Sequence, residues 1–300
     1  MSPERVTVTV EGHEITLSNL EKVLYSATGF TKGEMLDYYA NVAPVMLPHL
    51  RDRPLTVKRF PDGVETKGFI EKNLPRHAPA WIGTVELPRK GSGRETTTFP
   101  LANGVAELIW FVNMAAVEFH TPMWRVDLRR RPKHPDMIVF DLDPGAPATI
   151  VECCEVAALL QARLAKDGIE LLPKTSGAKG LQLYGRVAGH RFGGDGVNEY
   201  AHHVARSVEQ QAPDLVVSLM KRSLREKRVL IDWSQNSPAK TTVTPYSLRA
   251  VGRPSVSTPV SWHEVEACAR SGEGERLRFA PQEVIARVEK DGDLFAPLAG

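Results

Sequence analysis

Cysteine is scarce in this 300-residue chain: Cys153, Cys154 and Cys268 are the only three, two are sequence neighbours, and none has zinc-ligand spacing. That excludes a disulfide framework and a cysteine zinc module, and it suits a reducing cytoplasm. Long apolar runs are missing as well. None approaches the length of a membrane span, and the start, MSPERVTVTVEGHEI, has no apolar h-region, so neither a span nor a signal peptide is expected. Excess charge of one sign is also absent, with 38 Lys+Arg against 36 Asp+Glu. Any contact with nucleic acid must therefore come from local patches, not from a global field. There is no internal repeat and no long low-complexity segment.

What remains is enough to build a core. At 42% hydrophobic content the chain can form one large or two closely packed units. Pro/Gly-rich punctuation at 88–93, 129–136 and 252–260 reads as loops, and none of it as a flexible linker. A single integrated unit over 1–300 is expected, of α/β class. Residues up to about 130 mix strands with one long helix, about 131–250 alternate strand and helix, and 251–300 form small closing helices.

The stretch MIVFDLDPG, 137–145, is a buried-looking strand that ends in two carboxylates. Side chains alternate along a strand, so Asp141 and Asp143 share a face, about 6.6 Å apart by the strand rise. At an effective dielectric of 20 they repel by about 2.5 kcal/mol. Solvent or nearby Arg and Lys would offset this, and so would a divalent metal, because hard cations take carboxylate oxygens. Downstream, KRVLIDWSQNS runs an apolar strand, Val229 to Ile231, into Asp232. A third strand-end carboxylate would complete a metal cage if it met the first two.

Other signals are modest one by one. Thr31 and Glu34 form a capping box that opens a helix with Met35, Tyr38, Tyr39, Val42, Met46 and Leu47 as its apolar stripe. Lys32 and Lys22 lie near that helix start, where free amides, the helix dipole and two ammonium groups could hold an anion; a plain capped helix with solvated lysines is the bland alternative. Thr149 and Glu152 open a second helix, which carries Cys153 and Cys154. The turn TSGAKG, 175–180, offers two glycines, a hydroxyl and Lys179, a composition that suits phosphate but also any tight turn. Lys58 shares a strand face with Thr56, His120 sits between apolar residues, and MKRSLREKR, 220–228, reads as a solvated basic loop. Together, three strand-end acids, a Gly/Ser/Lys turn and scattered cations suit two-metal handling of a triphosphate.

Two families share the Asp-x-Asp stretch. VFDLDPG is similar to the opening motif of haloacid-dehalogenase-like phosphatases, with Ser176 imitating a second motif. Against this, Pro144-Gly145 stands where that family has Gly-Thr, and IDWSQNS supplies only one later acid. Over nearly its whole length the chain instead resembles the polymerase domain of bacterial ATP-dependent DNA ligase D, in the archaeo-eukaryotic primase superfamily. The shared stretches are SNLEKVLYSATGFTK, LTVKRFPDGV, AVEFHTPMW, FDLDPG, TSGAKGLQLY, IDWSQNS and TPYSLR, in family order.

That resemblance implies a primase-type core of mixed and antiparallel sheets flanked by helices. It implies template-directed nucleotidyl transfer that fills or extends DNA ends in non-homologous end joining, favouring ribonucleotides and using two Mn2+ (or Mg2+) ions. With no room for ligase or nuclease modules, the chain reads as a stand-alone polymerase. It would be cytoplasmic and nucleoid-associated in a bacterium, with no membrane partner. Its partners would be DNA ends, gapped duplex with a 5′-phosphate, and NTP or dNTP; Ku and a separate ATP-dependent ligase are further candidates. By position, Asp141, Asp143 and Asp232 would hold the metals, and Lys58, His120, Ser176, Lys179, Gln182, Gln235 and Arg249 would surround the nucleotide. Lys22 and Lys32 match the 5′-phosphate pocket, Phe69 would stack at the template, and Arg225 would guide the primer end. Two departures stand out. Gln182 replaces the family's common His and could still donate to a phosphate oxygen, and Ile70 replaces an aromatic residue. A DNA-end-binding module with weak catalysis is the alternative those departures suggest.

Overall fold

The structure, a computed structural model, describes residues 5–88, 96–187, 189, 192 and 196–299. Of the loop expected at 88–93, only Pro88 falls among them. The chain opens with a hairpin, β1 (Arg5–Val10) and β2 (His13–Ser18), followed by the short pair β3 (Val23–Tyr25) and β4 (Phe30–Thr31). Helix α1 (Lys32–Leu50) starts at the expected capping box, with Glu34 N bonded to Thr31 Oγ1 and Thr31 N to the Glu34 carboxylate. Met35, Tyr38, Tyr39, Val42 and Met46 are buried along it. Then come β5 (Thr56–Arg59), β6 (Phe69–Glu71) and the hairpin β7 (Thr84–Pro88) and β8 (Thr96–Pro100).

A second helix in this half, α2 (Val105–Asn113), departs from the expectation of one long helix. Its sequence, VAELIWFVN, is apolar almost all round because it is buried, and a short apolar run of that kind has no period to read. Its N-cap is Gly104, which has no side chain to cap with. Glu11 takes the role from the first hairpin, accepting from Ala106 N at 3.0 Å. Strand β9 (Ala116–Thr121) follows.

The second half begins with β10 (Met137–Pro144) and α3 (Ile150–Ala165), the latter opened by Thr149 and Glu152 as expected. Cys153 and Cys154 are buried on α3, and burial pushes both thiols up, which fits packing and not reactivity. Next are β11 (Leu171–Thr175), β12 (Leu181–Arg186), α4 (Gly196–Gln211), β13 (Val216–Val217), β14 (Val229–Asp232), β15 (Thr242–Val243), β16 (Leu248–Arg249) and β17 (Ser255–Val256). Helices α5 (Trp262–Ser271) and α6 (Pro281–Asp291) close the chain.

Two larger sheets result. One has the order β11-β12-β10-β14-β13, antiparallel except between β13 and β14. The other has the order β15-β9-β5-β6 and is antiparallel throughout. Helices α3 and α4 pack on the first sheet, whose central strand β10 buries Ile138, Val139, Phe140 and Leu142 completely. The sheets are stitched together where Tyr184 of β12 donates to Thr242 Oγ1 of β15 at 2.8 Å. Arg53 adds a buried clamp: its guanidinium grips both oxygens of Asp136, the residue before β10, at 2.9 and 2.6 Å. The architecture is the mixed and antiparallel α/β arrangement that the resemblance implies.

Candidate active site

The site forms where β10 ends between two antiparallel neighbours. Asp141 lies directly opposite Asp232 of β14 on one side and Gln182 of β12 on the other. Asp143, two residues on, shares its face. Directly opposed like charges on neighbouring strands are destabilising, so each acid needs a partner. Asp143 receives Lys179 at 2.8 Å and Arg225 at 3.3 Å. Asp232 accepts from Ser234 N at 3.0 Å, Ser234 Oγ at 2.5 Å and Gln235 Nε2 at 2.8 Å. Asp141 Oδ1 accepts from Gln182 Nε2 at 3.0 Å. Burial raises the Asp141 carboxyl to about 6, with the charges of Asp232 and Asp143 adding to the rise and Gln182 opposing it.

The three aspartates thus share one sheet face, but each is engaged by its own donors. Among the described residues no three His, Cys, Asp or Glu side chains stand in ready-made ion-binding geometry. Lys179 and Arg225 engage Asp143, the 233–236 turn engages Asp232, and Gln182 engages Asp141. The donor set still fits a hard divalent cation, because it is all carboxylate oxygen on adjacent strands and its present countercharges are cations.

The turn between β11 and β12 is shaped from within. Ser176 Oγ accepts from Ala178 N at 3.2 Å and Gly180 N at 3.1 Å, so those two amides are not offered to a phosphate as the composition suggested. Gly177 has φ +68, where L side chains are strained, and a Cβ on Gly180 would lie 2.1 Å from the carbonyl oxygen of Leu142. The glycines let the turn close against β10, which brings Lys179 over Asp143. Arg249 of β16 donates to the carbonyl of Ser176 and lies 3.4 Å from Glu118.

Glu118 is the organiser that the sequence did not single out. It is 3% exposed and receives His120 Nε2 at 2.9 Å and Ala250 N at 2.9 Å. Burial disfavours its charge, but His120, Arg249 and the Ala250 amide win and hold its carboxyl at about 2. Burial lowers His120, with Arg249 and Lys174 adding to this against the pull of Glu118. The available signal was its spacing, which puts Glu118 and His120 on one face of β9; in the structure Lys58 of β5 stands opposite Glu118 in register. Lys174, buried beside Gln182, was missed as well.

Gln182 is 4% exposed, and its amide nitrogen donates to Asp141. The remaining candidates have other partners. Lys32 donates to the Ser18 carbonyl at 2.5 Å and to Asn113 Oδ1 at 2.7 Å; burial, then the Lys22 charge, lowers it to about 8. Lys22 reaches Asp62 at 3.1 Å. The free amides expected at this helix start are absent, since Lys32 N bonds Lys22 O, Gly33 N bonds Leu20 O and Glu34 N bonds Thr31 Oγ1. Two neighbouring cations remain. Phe69 is 45% exposed on β6, with the Arg59 guanidinium 5.2 Å from its ring, and Ile70 beside it is more exposed still.

Comparison with known proteins places this geometry. The family model for the LigD primase-polymerase domain matches residues 31–295. The multifunctional non-homologous end joining protein LigD of Mycolicibacterium smegmatis is 42% identical over 285 residues, covering 95% of this chain and 36% of the relative. The bifunctional LigD of Bacillus subtilis is 28% identical over 282 residues, covering 94% of this chain and 44% of its own length. The chain thus spans well under half the length of these curated relatives. The solved polymerase domain of Mycobacterium tuberculosis ligase D, in complex with DNA, superposes with a TM-score of 0.86 at 39% identity, covering 95% of this chain and 98% of that one.

Proposed function

The chain belongs to the LigD primase-polymerase family, and on that premise we propose that it performs template-directed nucleotidyl transfer at broken or gapped DNA, extending a 3′ end in non-homologous end joining. The observation that carries this reading is the opposition of Asp141 and Asp232 across β10 and β14, with Asp143 on the same face and Lys179 and Arg225 above it. Asp141, Asp143 and Asp232 would hold two Mn2+ or Mg2+ ions. Bound there, the ions would lower the pKa of the attacking hydroxyl and neutralise charge on the triphosphate.

The chain's own residues supply the rest. Lys179 and Arg225 balance Asp143 in this structure, and both are cations that a triphosphate could recruit. An ionised Glu118 requires His120 to donate from Nε2, so a neutral His120 keeps Nδ1 as an acceptor for a sugar hydroxyl. That supports a preference for ribonucleotides. Arg249 braces the Ser176 turn against β9, and Lys58 stands across from Glu118, where it could meet a nucleotide. Lys22 and Lys32 form a separate cationic pair suited to the 5′-phosphate of a downstream strand, while Phe69 offers an exposed ring to a template base. Ku and a separate ATP-dependent ligase complete the proposed setting. The family match and the antiparallel neighbours of β10 set aside the phosphatase reading of FDLDPG.

The test is extension of a gapped, 5′-phosphorylated duplex with each NTP and dNTP, in Mn2+ and in Mg2+. Template-matched addition, faster with NTP and with Mn2+, is expected. Tight gap binding with no addition under any of these conditions would favour an end-binding module instead.

A further inference from the structure

Lys174 is fully buried, yet it lies in the middle of the site's support. Lys174 of β11 stands in register with Gln182 of β12, and Gln182 stands in register with Asp141 of β10, so the three residues form one row across three adjacent strands. Lys174 Nζ donates to Gln182 Oε1 at 2.5 Å and to Ser257 Oγ at 2.6 Å. Ser257 gives its own proton to the Thr175 carbonyl at 2.8 Å, so it presents lone pairs to the lysine. With its oxygen held from that side, the Gln182 amide has one favourable orientation, the one that donates from Nε2 to Asp141 Oδ1. A flipped amide would set NH2 against Nζ and oxygen against the carboxylate, two repulsive contacts.

We infer that Lys174 is a positioning residue for metal binding, fixing the Gln182 amide so that it holds the Asp141 carboxylate in place. The inference rests on the metal reading above. A lysine chosen merely to fill the core would be a poor plug, because burying its amino group costs more than burying an apolar chain of the same length. The row explains why it is there. Protonated or neutral, Nζ donates, so the device does not depend on its titration. Outer partners of metal-ligating groups commonly change metal affinity by 10- to 100-fold, roughly, when removed.

The test uses Lys174→Met, Gln182→Leu and the double variant, each read by Mn2+ binding in an electron paramagnetic resonance titration and by thermal unfolding. Lys174→Met is expected to bind Mn2+ on the order of tenfold more weakly, with no loss of thermal stability, and its extension activity should recover at saturating Mn2+. If Lys174 acts through Gln182, adding Lys174→Met to Gln182→Leu should weaken Mn2+ binding no further. Unchanged Mn2+ affinity in Lys174→Met, or additive losses in the double variant, would overturn the inference. Should Lys174→Met fail to fold, wild type labelled with 13C-lysine decides: the Lys174 resonance must move with Mg2+ at the binding midpoint, and a silent resonance overturns the inference. Wild type that binds no Mn2+ would overturn the metal reading itself, and this inference with it.

Discussion

Asp141 has a carboxyl raised to about 6 by burial and by two adjacent acids, a state that a cation would relieve. The sequence showed that Asp141 and Asp143 share a face. It could not show that Gln182 faces them from the next strand, because register between distant strands is a tertiary fact. Sequence alone would favour Gln182→His as a modest gain in nucleotide use. In this structure an imidazole there would have to donate to Asp141 from one ring nitrogen and accept Lys174 Nζ at the other. Gln182→Leu, which can do neither, should cost about 1–3 kcal/mol of stability and slow extension, measurable by thermal unfolding and by single-turnover rates. Lys32 makes a pH prediction. Lowered to about 8, it is charged below that pH and neutral above it. Preference for 5′-phosphorylated over 5′-hydroxyl gaps, expected at about tenfold near pH 7, should therefore fade between pH 8 and 9. The fold cannot be blamed for that fading, because an unfolded lysine binds more protons in this window and stability rises with pH there. In Lys22→Ala/Lys32→Ala both substrates should bind alike, while a simple primer-template is still extended.

Among the elements, capping boxes were the most legible feature, because Thr31–Glu34 and Thr149–Glu152 close within four residues of sequence. The amides of the first turn of α1 could be read either way from sequence, and carbonyls of the preceding loop, Leu20 and Lys22, fold back onto them. Likewise the TSGAKG composition suited phosphate or any tight turn, and Ser176 bonds the turn internally. What the glycines do is allow close approach, and that can be tested. Gly180→Ala places a methyl 2.1 Å from the Leu142 carbonyl, so the turn must lift off β10 and take Lys179 away from Asp143. Extension should fall by at least about tenfold with gap binding retained, in a rate assay paired with a binding assay. A similar approach at Gly145, whose Cβ would meet the Arg225 carbonyl at 1.9 Å, seats the basic loop beside Asp143.

At the scale of the whole molecule, the order of the motif stretches was legible, and with it the family. The second helix of the first half was not, for want of a period in its buried sequence. Nor was the clamp of Arg53 on Asp136, which joins residues 83 apart in sequence and fixes the entry to β10. Removing one member of a buried ion pair leaves the other charge without compensation, so Asp136→Ala should destabilise the fold by about 3–5 kcal/mol, visible as a lowered unfolding temperature. On the proposed function, the acids gathered on one sheet face carry out nucleotide addition. The most direct measurement is single-nucleotide extension of a gapped, 5′-phosphorylated duplex in Mn2+ by wild type and by Asp143→Ala, with DNA binding measured alongside. Template-matched addition by wild type is expected, with a loss of at least about 10² in rate for the variant at unchanged DNA affinity; near-normal extension by Asp143→Ala would rule out that role for the acids.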